Sequence, residues 1–331
     1  SIGDTNGIGP EIVLKALSDN RILDFITPVI YCSASMLSAH RKLMDLPALT
    51  HTNLEEGQEP KSKTLYVKKC WENDPEMNLG KETSQGGEYA VKSLKAATDD
   101  LAASKIDILV TAPINKHNVQ GNNFNFPGHT EYLAKLSNVE DALMLMCADN
   151  LKVAVVSGHI PLKEVAKYLT KDKIQNALNL LNESLIKDFG ISKPKIAVMG
   201  LNPHAGDNGV IGEEENEIIS PVINDARNRG IMAFGPYSAD GFFGSNTYTN
   251  YDGILAMYHD QGLVPFKSLS FGNGVNFTAG LPIVRTSPDH GTGYDIAGKN
   301  EASPSSFRNA IYLAIDVYRQ RQLYKELNEN P

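Results

Sequence analysis

Short apolar runs alternate with amphipathic stretches along most of the chain, a pattern typical of an α/β fold. The apolar runs predict strands at residues 26–32, 64–67, 106–110, 152–157, 195–200 and 254–257. Apolar positions at helical spacing predict helices at residues 87–103, 171–189, 213–229 and 303–321. The all-apolar run at 106–110 is typical of a strand buried on both faces of a parallel sheet. We therefore predict an α/β fold with a largely parallel sheet.

One stretch, residues 256–299, combines polar chemistry with unusual backbone freedom. Its charged and polar residues are interleaved with seven glycines. Buried charges need partners, and glycine lets the backbone turn sharply or approach a ligand closely. Lys267 and Arg285 flank Asn276 here, and guanidinium, ammonium and amide together suit a carboxylate or phosphate. The stretch therefore predicts a ligand site, against the alternative of a solvated surface loop with a few ion pairs.

Two more residues fit the same anion. His129 and Thr130 lie at the predicted start of a helix. The N-terminus of a helix presents free N–H groups, which favour negative charge. Both side chains would add hydrogen-bond donors to an anion-binding site.

Three histidines occupy equivalent positions in the predicted topology. His159, His204 and His259 each follow the carboxyl end of an apolar strand, with Gly or Pro close by. A single histidine in such a loop is more often structural, but three would meet at one edge of one sheet. Three imidazoles with open positions are typical of a catalytic metal site, and imidazole suits zinc or cobalt better than calcium or magnesium. The spacing alone leaves both interpretations open.

Charge and composition exclude several classes of function. The net charge of −8 argues against nucleic acid or an anionic membrane as the main partner. The sequence contains no run of about 18 apolar residues, the length that a membrane-spanning helix needs. The three cysteines form no CxxC motif, which favours a reducing, cytosolic compartment over a disulfide framework. Walker A, G-x-S-x-G, H-E-x-x-H and G-x-G-x-x-G motifs are also absent from the sequence.

Seven motifs in order resemble the 4-hydroxythreonine-4-phosphate dehydrogenase family of pyridoxal-phosphate biosynthesis. They are GDTNGIGPE at 3–11, TAPINK at 111–116, FPGHTE at 126–131, GHIPL at 158–162, LNPHAG at 201–206, MYHDQG at 257–262 and GLPIVRTS at 280–287. The segment HGTGYDIAGK at 290–299 also looks like the adenosine-side loop of isocitrate and isopropylmalate dehydrogenases. The resemblance covers nearly the whole chain.

The resemblance implies an isocitrate/isopropylmalate dehydrogenase-like fold, with two α/β/α subdomains and a cleft between them. We expect residues 1–115 with 270–331 on the NAD side, and residues 116–269 on the metal and dimerisation side. It further implies a homodimer whose active site is completed by the partner subunit.

The resemblance also assigns residues to roles. The metal ligands would be His159, His204 and His259. The substrate-binding residues would be His129, Thr130, Lys267, Asn276 and Arg285. The cofactor-binding residues would be His290, Gly291 and Asp295, and Asp240 matches an acidic residue near the family's metal site.

The implied reaction is NAD-dependent oxidation of 4-phosphohydroxy-L-threonine, followed by decarboxylation to 3-amino-2-oxopropyl phosphate. A divalent ion (zinc, magnesium or cobalt) would act as a Lewis acid, and NADP is an alternative to NAD. Two departures from the family pattern, Thr5-Asn6 for Pro-Ala and SADG at 238–241 for PADT, bear on substrate choice.

Those departures leave other activities open. D-threonate or D-erythronate 4-phosphate and the diols of aromatic acids are alternative substrates. A catalytically silent metal- or nucleotide-binding protein and an acyl- or phosphotransferase are alternative functions. The segment at 290–299 argues against a transferase, because it resembles a loop of NAD-dependent enzymes.

Overall fold

A computed structural model describes residues 1–120, 124–126 and 128–329. The α/β class is confirmed. The chain forms two compact units: unit 1 comprises Ser1–Leu133 and Ile283–Ile315, and unit 2 comprises Ala134–Pro282 and Asp316–Pro331. The predicted subdomains, 1–115 with 270–331 and 116–269, stay a prediction beside this division. None of the described helices is long and apolar enough to cross a membrane.

Helices and strands alternate in chain order. The helices are α1 (Gly9–Leu17), α2 (Ala34–Leu43), α3 (Ser84–Ala102), α4 (His129–Leu136), α5 (Val165–Tyr168), α6 (Lys171–Lys187), α7 (Ser220–Asn228), α8 (Ala239–Gly244), α9 (His259–Ser270) and α10 (Ser305–Glu329). The strands are β1 (Val29–Tyr31), β2 (Thr52–Asn53), β3 (Tyr66–Lys68), β4 (Ile108–Val110), β5 (Leu143–Ala148), β6 (Leu151–Ser157), β7 (Lys195–Met199), β8 (Met232–Tyr237), β9 (Gly253–Tyr258), β10 (Val275–Ala279) and β11 (Val284–Pro288).

Unit 1 is organised by parallel strand pairs. Strand β3 lies between β1 and β2 and is parallel to both. Strand β11 runs parallel to β4, with Arg285 opposite Leu109. Helix α1 is fixed by Glu11, whose buried carboxylate bonds Lys15 at 2.7 Å and accepts the Ala302 N–H at 2.8 Å. The terminal part of unit 1 is therefore tied to its N-terminal helix by a buried acid.

Unit 2 is built on six strands in the order β10-β5-β6-β9-β7-β8. Strands β10, β5 and β6 pair antiparallel, whereas β6, β9, β7 and β8 are all parallel. Helix α6 covers this sheet with the apolar positions whose helical spacing predicted it: Ile174, Leu178, Leu181 and Leu185 are all 0% exposed. A Cβ at Gly253 would stand 2.8 Å from Leu185 Cδ1, so the glycine permits the close approach of helix and strand.

Every predicted strand is present with its ends shifted by a few residues, but three predictions need correction. The predicted helix at 213–229 is a π-helical turn, Glu215–Ile219, followed by α7. Helix α10 continues to Glu329 instead of ending near 321. The sequence missed this last part because its leucines, Leu323 and Leu327, are exposed and do not form a continuous apolar face. Residues 256–299, where the glycine-rich sequence predicts backbone turns around a ligand, contain the regular elements α9, β10 and β11.

A buried ion pair connects the last helix of unit 2 with the end of α6. Arg321 Nε donates to Asp188 Oδ1 at 2.6 Å, and the two side chains are 10% and 3% exposed. Ser184 Oγ donates to the other carboxylate oxygen at 2.7 Å. Arg321 Nη1 also donates to the carbonyl oxygen of Pro282 at 3.1 Å. Removing the guanidinium would leave a buried carboxylate with its cation missing.

We expect Arg321→Ala to lower the free energy of unfolding by about 3 kcal/mol, because loss of one partner leaves the other charge buried. The matched control is Arg229→Ala, which breaks an exposed pair with Asp225 (side chains 43% and 60% exposed). That pair contributes about 0.5 kcal/mol or less. Urea unfolding followed by circular dichroism measures both. Equal losses in the two variants would contradict the structural role of the Asp188 pair.

Candidate active site

In the parallel part of the unit 2 sheet, the candidate functional residues follow the carboxyl ends of the strands. Ser157 and Tyr258, the last residues of β6 and β9, are paired with each other, and His159 and His259 follow them. Strand β7 lies beside β9 and leads into His204, and β8 lies beside β7 and leads into Asp240. The structure therefore places the three predicted histidines and Asp240 after the carboxyl ends of four neighbouring strands. In open α/β sheets, ligands bind at such edges.

His159 and His259 lie close together. Their ring centroids are 5.8 Å apart, with an angle of 43° between the planes. Nδ1 of His259 is hydrogen-bonded to Asp260 Oδ1 at 2.7 Å. A carboxylate on one ring nitrogen fixes the tautomer and orientation of the imidazole, and leaves Nε2 as the nitrogen that can bind a metal. Asp260 belongs to the MYHDQG motif at 257–262, but the sequence assigned it no role.

His204 lies on a loop with an uncommon backbone. The five residues from 204 to 208 all have positive φ angles, between 42° and 77°. Only Gly206 among them lacks a Cβ, and each other residue costs on the order of 1 kcal/mol in this left-handed region. The conformation must therefore be held by contacts outside the loop. Strain of this kind clusters at functional sites.

Glu215 supplies such contacts. Its side chain is 2% exposed, and Oε1 accepts the N–H groups of Leu201 and Asn202, both at 2.7 Å. Oε2 accepts a bond from the Asn202 side chain at 3.0 Å. In the sequence this residue was only one of three glutamates at the start of a predicted helix. Its burial, the one feature that separates it from its neighbours, is visible only in the structure.

Gln261 joins two of the strand ends. Its Oε1 accepts the Met257 N–H at 2.7 Å, and its Nε2 donates to the Gly200 carbonyl oxygen at 2.6 Å. The side chain thus fixes the end of β9 relative to the end of β7, and with them the segments that carry His259 and His204. Its place in the MYHDQG motif was the available signal, but the sequence did not say which atoms it bonds.

Asp240 faces the same edge from α8. The hydroxyl of Ser238 donates to its carboxylate, and this bond is the largest cause that holds the Asp240 pKa below its usual value. The Gly241 N–H acts in the same direction. Helix α8, which carries Asp240, packs against the loop that carries His204.

The donor set at this edge suits a late divalent ion in kind, because imidazole nitrogens prefer such ions. Across residues 1–120, 124–126 and 128–329, no group of three His, Cys, Asp or Glu side chains is close enough together to hold a metal ion. The structure brings His159 and His259 together and places His204 after the neighbouring strand.

In unit 1, the buried guanidinium of Arg285 acts on the imidazole of His129. Arg285 is 2% exposed, and its Nε and Nη2 donate to Thr111 Oγ1 at 3.1 and 2.7 Å. Burial lowers the Arg285 pKa to about 10, so the side chain is still charged at neutral pH. Burial, and next the charge of Arg285, hold the His129 pKa well below its usual value. The sequence included Thr111 in a motif but assigned it no role.

His129 also has an unsatisfied polar atom. It is the first residue of α4, followed by Thr130, as the sequence predicted within one residue. Its Nε2 is buried and has no hydrogen-bond partner among the described residues, although the residue as a whole is only half-buried. Pro127 of the same motif lies outside the described residues. Buried polar atoms are normally paired, so this nitrogen is available to a ligand.

In unit 2, Lys267 and Asn276 lie on regular elements and not in a loop. Lys267 is exposed on α9, and Asn276 lies on β10 opposite Met146 of β5. The Oδ1 atom of Asn276 is buried and lacks a hydrogen-bond partner in the described part of the chain. The glycine-rich character of the stretch hid these elements from the sequence pattern.

The segment at 290–299 packs on the N-terminal motif of unit 1. The Ile8 N–H donates to Thr292 O at 2.8 Å, and a Cβ at Gly7 would stand 2.6 Å from that oxygen. The Tyr294 hydroxyl donates to Asp4, a fully buried carboxylate, at 2.8 Å. The glycine-rich N-terminal motif is therefore the support of this segment.

The predicted cofactor residues lie at the start and middle of the same segment. Gly291 and Asp295 are exposed. His290 Nδ1 contacts Gly291 O at 3.1 Å, and its Nε2 is buried with no hydrogen-bond partner in the described residues. A ligand on this segment would meet one buried imidazole nitrogen and an exposed backbone turn.

Comparison with known proteins gives consistent results. A 4-hydroxythreonine-4-phosphate dehydrogenase of Bacteroides thetaiotaomicron is 48% identical over 333 residues, covering 99% of this chain and 90% of the relative. A D-threonate 4-phosphate dehydrogenase of Pectobacterium atrosepticum is 36% identical, covering 96% of this chain and 98% of that protein. A crystal structure of 4-hydroxythreonine-4-phosphate dehydrogenase from Klebsiella pneumoniae superposes with a TM-score of 0.81, at 33% identity and 96% coverage of both chains.

The family model described as pyridoxal phosphate biosynthetic protein PdxA matches residues 24–314. This match spans both units and includes every predicted site residue. The family that the seven motifs indicated is confirmed: the chain belongs to the PdxA family of pyridoxal phosphate biosynthetic proteins.

Proposed function

We propose that this protein is an NAD-dependent dehydrogenase that oxidises 4-phosphohydroxy-L-threonine, which then loses carbon dioxide to give 3-amino-2-oxopropyl phosphate. One observation carries the proposal: three histidines follow the ends of three neighbouring parallel strands, and two of them face each other at 5.8 Å. Two relatives of the same family are named for this activity, and this chain matches 90% and 98% of their lengths.

His159, His204 and His259 would hold a divalent ion. When bound, such an ion stabilises negative charge that develops on a substrate oxygen. Asp260 supports the assignment, because its bond to His259 Nδ1 keeps that ring oriented with Nε2 available. Zinc or cobalt fits imidazole ligands better than magnesium does.

Anionic groups of the substrate would be bound by five cationic or polar residues: His129, Thr130, Lys267, Asn276 and Arg285. Arg285 keeps its charge at neutral pH, and His129 Nε2 is a buried atom in need of a partner. Binding of its anionic groups fixes the orientation of the substrate before reaction.

The nicotinamide cofactor, NAD or NADP, would be bound by His290, Gly291 and Asp295, and accepts hydride when present. The unsatisfied Nε2 of His290 supports this assignment. The bond from Tyr294 to the buried Asp4 would keep the segment in place. A homodimer and a cytosolic location complete the proposal and stay predictions from the sequence.

A second substrate has support of its own. The relative from Pectobacterium atrosepticum is named D-threonate 4-phosphate dehydrogenase. The two substrates share a phosphate, a carboxylate and the hydroxyl to be oxidised, and differ in an amino or hydroxyl group at the second carbon. Arg285 and Lys267 recognise negative charge and do not distinguish that group. The choice between the two substrates is therefore a matter for direct assay.

The first test is NADH formation with 4-phosphohydroxy-L-threonine, NAD and added Co²⁺, beside D-threonate 4-phosphate under identical conditions. We expect NADH formation with the amino acid and a lower kcat/KM with the sugar acid, because relatives of 48% and 43% identity are named for the first activity and one of 36% for the second. Turnover with the sugar acid alone would move the protein to the second function. No turnover with either acid would contradict the dehydrogenase proposal.

We expect His259→Ala to reduce kcat by about a thousandfold or more while the protein remains folded, because the ring lies at a strand end and not in the core. The matched control is His51→Ala, which removes a histidine whose Nδ1 contacts the carbonyl oxygen of Leu49 two residues away. Kinetics with titrated Co²⁺ and circular dichroism measure activity and fold. Wild-type activity of His259→Ala in metal-stripped buffer would contradict the metal assignment.

The neutral state of His129 predicts a pH dependence of stability. Because the folded protein disfavours the protonated ring, the unfolded chain binds more protons below the ordinary pKa of 6.5. Stability from the neutral ring is complete above that value and is lost as pH falls. Between about pH 7.5 and pH 5.5 we expect the wild type to lose about 1.4 kcal/mol more than His129→Gln.

Urea unfolding at both pH values measures this difference, with His51→Gln as the control. Parallel loss of stability in the wild type and in His129→Gln would show that the ring is protonated in the folded protein. The anion-binding role of His129 would then rest on its charge and not on its buried nitrogen.

A further inference from the structure

We propose that Glu215 is a positioning residue that holds the His204 loop, residues 201–209, in the conformation that presents His204. The inference rests on the proposed function, since His204 is argued there to bind the metal. Glu215 itself would touch neither metal nor substrate. It would act through the backbone of the loop.

The contacts of the carboxylate are directed at the start of the loop. Oε1 accepts two consecutive backbone N–H groups, those of Leu201 and Asn202, at 2.7 Å each. These N–H groups immediately follow β7, so the carboxylate fixes the direction in which the chain leaves the sheet. Oε2 accepts a bond from Asn202 Nδ2, which is also bonded to Glu214 at 2.7 Å. Two consecutive N–H groups on one oxygen determine the local backbone orientation.

The Glu215 carboxylate is compensated by hydrogen-bond donors of the loop. The residue is 2% exposed, and no Lys, Arg or His forms an ion pair with it within the described ranges. A buried carboxylate needs compensation, and here the donors are the loop N–H groups and the Asn202 amide. Bonds to an ionised acceptor are stronger than neutral ones. Burial therefore makes the carboxylate and the loop depend on each other.

The left-handed turn packs directly against this carboxylate. A Cβ at Gly206 would stand 2.6 Å from Glu215 Oε2, and a Cβ at Gly200 would stand 2.9 Å from Ala205 Cα. The loop backbone at Gly206 thus lies so close to Glu215 that a side chain there would collide with the carboxylate. With the carboxylate removed, the turn would lose the contact that offsets its positive φ angles.

The π-helical turn explains why Glu215 can reach the loop. It begins the segment Glu215–Ile219, whose widened turn precedes α7. Such turns are rare and occur often at functional sites. A regular helix through the same residues, as the sequence predicted, would rotate the glutamate relative to the sheet. The π-helical turn therefore sets the direction in which the Glu215 side chain points.

The main test is Glu215→Gln, which keeps the shape, removes the charge and turns one acceptor oxygen into a donor that faces Asn202. The matched control is Glu217→Gln, an exposed residue in the same π turn. Co²⁺ binding to the full-length protein is measured by calorimetry, and hydrogen exchange is measured at the Leu201 and Asn202 amides. We expect Co²⁺ affinity to fall at least about tenfold and exchange of the two amides to accelerate, with neither change in the control.

Kinetics separate positioning from general loss of structure. For Glu215→Gln, we expect lower activity at limiting Co²⁺, recovery towards the wild-type kcat at high Co²⁺, and an unchanged KM for the phosphorylated substrate. A merely destabilised protein would lose activity that added metal does not restore. Co²⁺ affinity and amide exchange equal to those of the wild type would overturn the proposal.

A second variant approaches the same contact from the loop. Gly206→Ala leaves the carboxylate intact but places a Cβ against Oε2, so the same loss of Co²⁺ affinity is expected. If Glu215→Gln does not fold, Gly206→Ala decides alone, and wild-type affinity there overturns the proposal. If the wild type itself binds no Co²⁺, the proposed metal site fails, and amide exchange in the two variants still shows whether Glu215 holds the loop.

Discussion

Parallel pairing of β6, β9, β7 and β8 is the constraint on which the candidate site depends. Parallel strands must all end at the same edge of the sheet, so residues that follow them meet whatever their separation in the chain. His159 and His259 are a hundred positions apart in the numbering, yet their rings are 5.8 Å apart because Ser157 and Tyr258 are paired. The pairing register of the strands thus brings the histidines together, as a short sequence motif does in other metal sites.

Around this edge, three side chains act on the histidines without being candidates for ligands themselves. Asp260 orients His259, Gln261 links the ends of β9 and β7, and Glu215 holds the loop of His204. Each uses its polar atoms on a backbone group or on an imidazole. Geometry at a metal site needs such support, because a shift of a fraction of an ångström already weakens coordination. The surroundings of the histidines are therefore as specific as the histidines.

Three buried polar atoms without hydrogen-bond partners in the described part of the chain indicate where ligand groups could bind. Nε2 of His129, Nε2 of His290 and Oδ1 of Asn276 are buried and lack hydrogen-bond partners among the described residues. Leaving such an atom unpaired costs about 1–3 kcal/mol, which folding alone does not repay. All three belong to residues that the family motifs had assigned to substrate or cofactor. At each of these atoms, a ligand group that forms the missing hydrogen bond would remove the penalty.

The sequence by itself determined the α/β class, the positions of six strands, the inward face of α6 and the family, since periodicity and contiguous motifs are local properties of the chain. It also placed three histidines at strand ends. It failed at β2, β5, β8, β10 and β11, and at the π turn that begins at Glu215, because strand pairing and burial depend on distant neighbours. Only the tertiary structure decided strand order, which brings His159 to His259, and burial, which separates Glu215 from the glutamates beside it. Pairing between strands and burial of a charge are properties of residues far apart in the chain, so no local pattern encodes them.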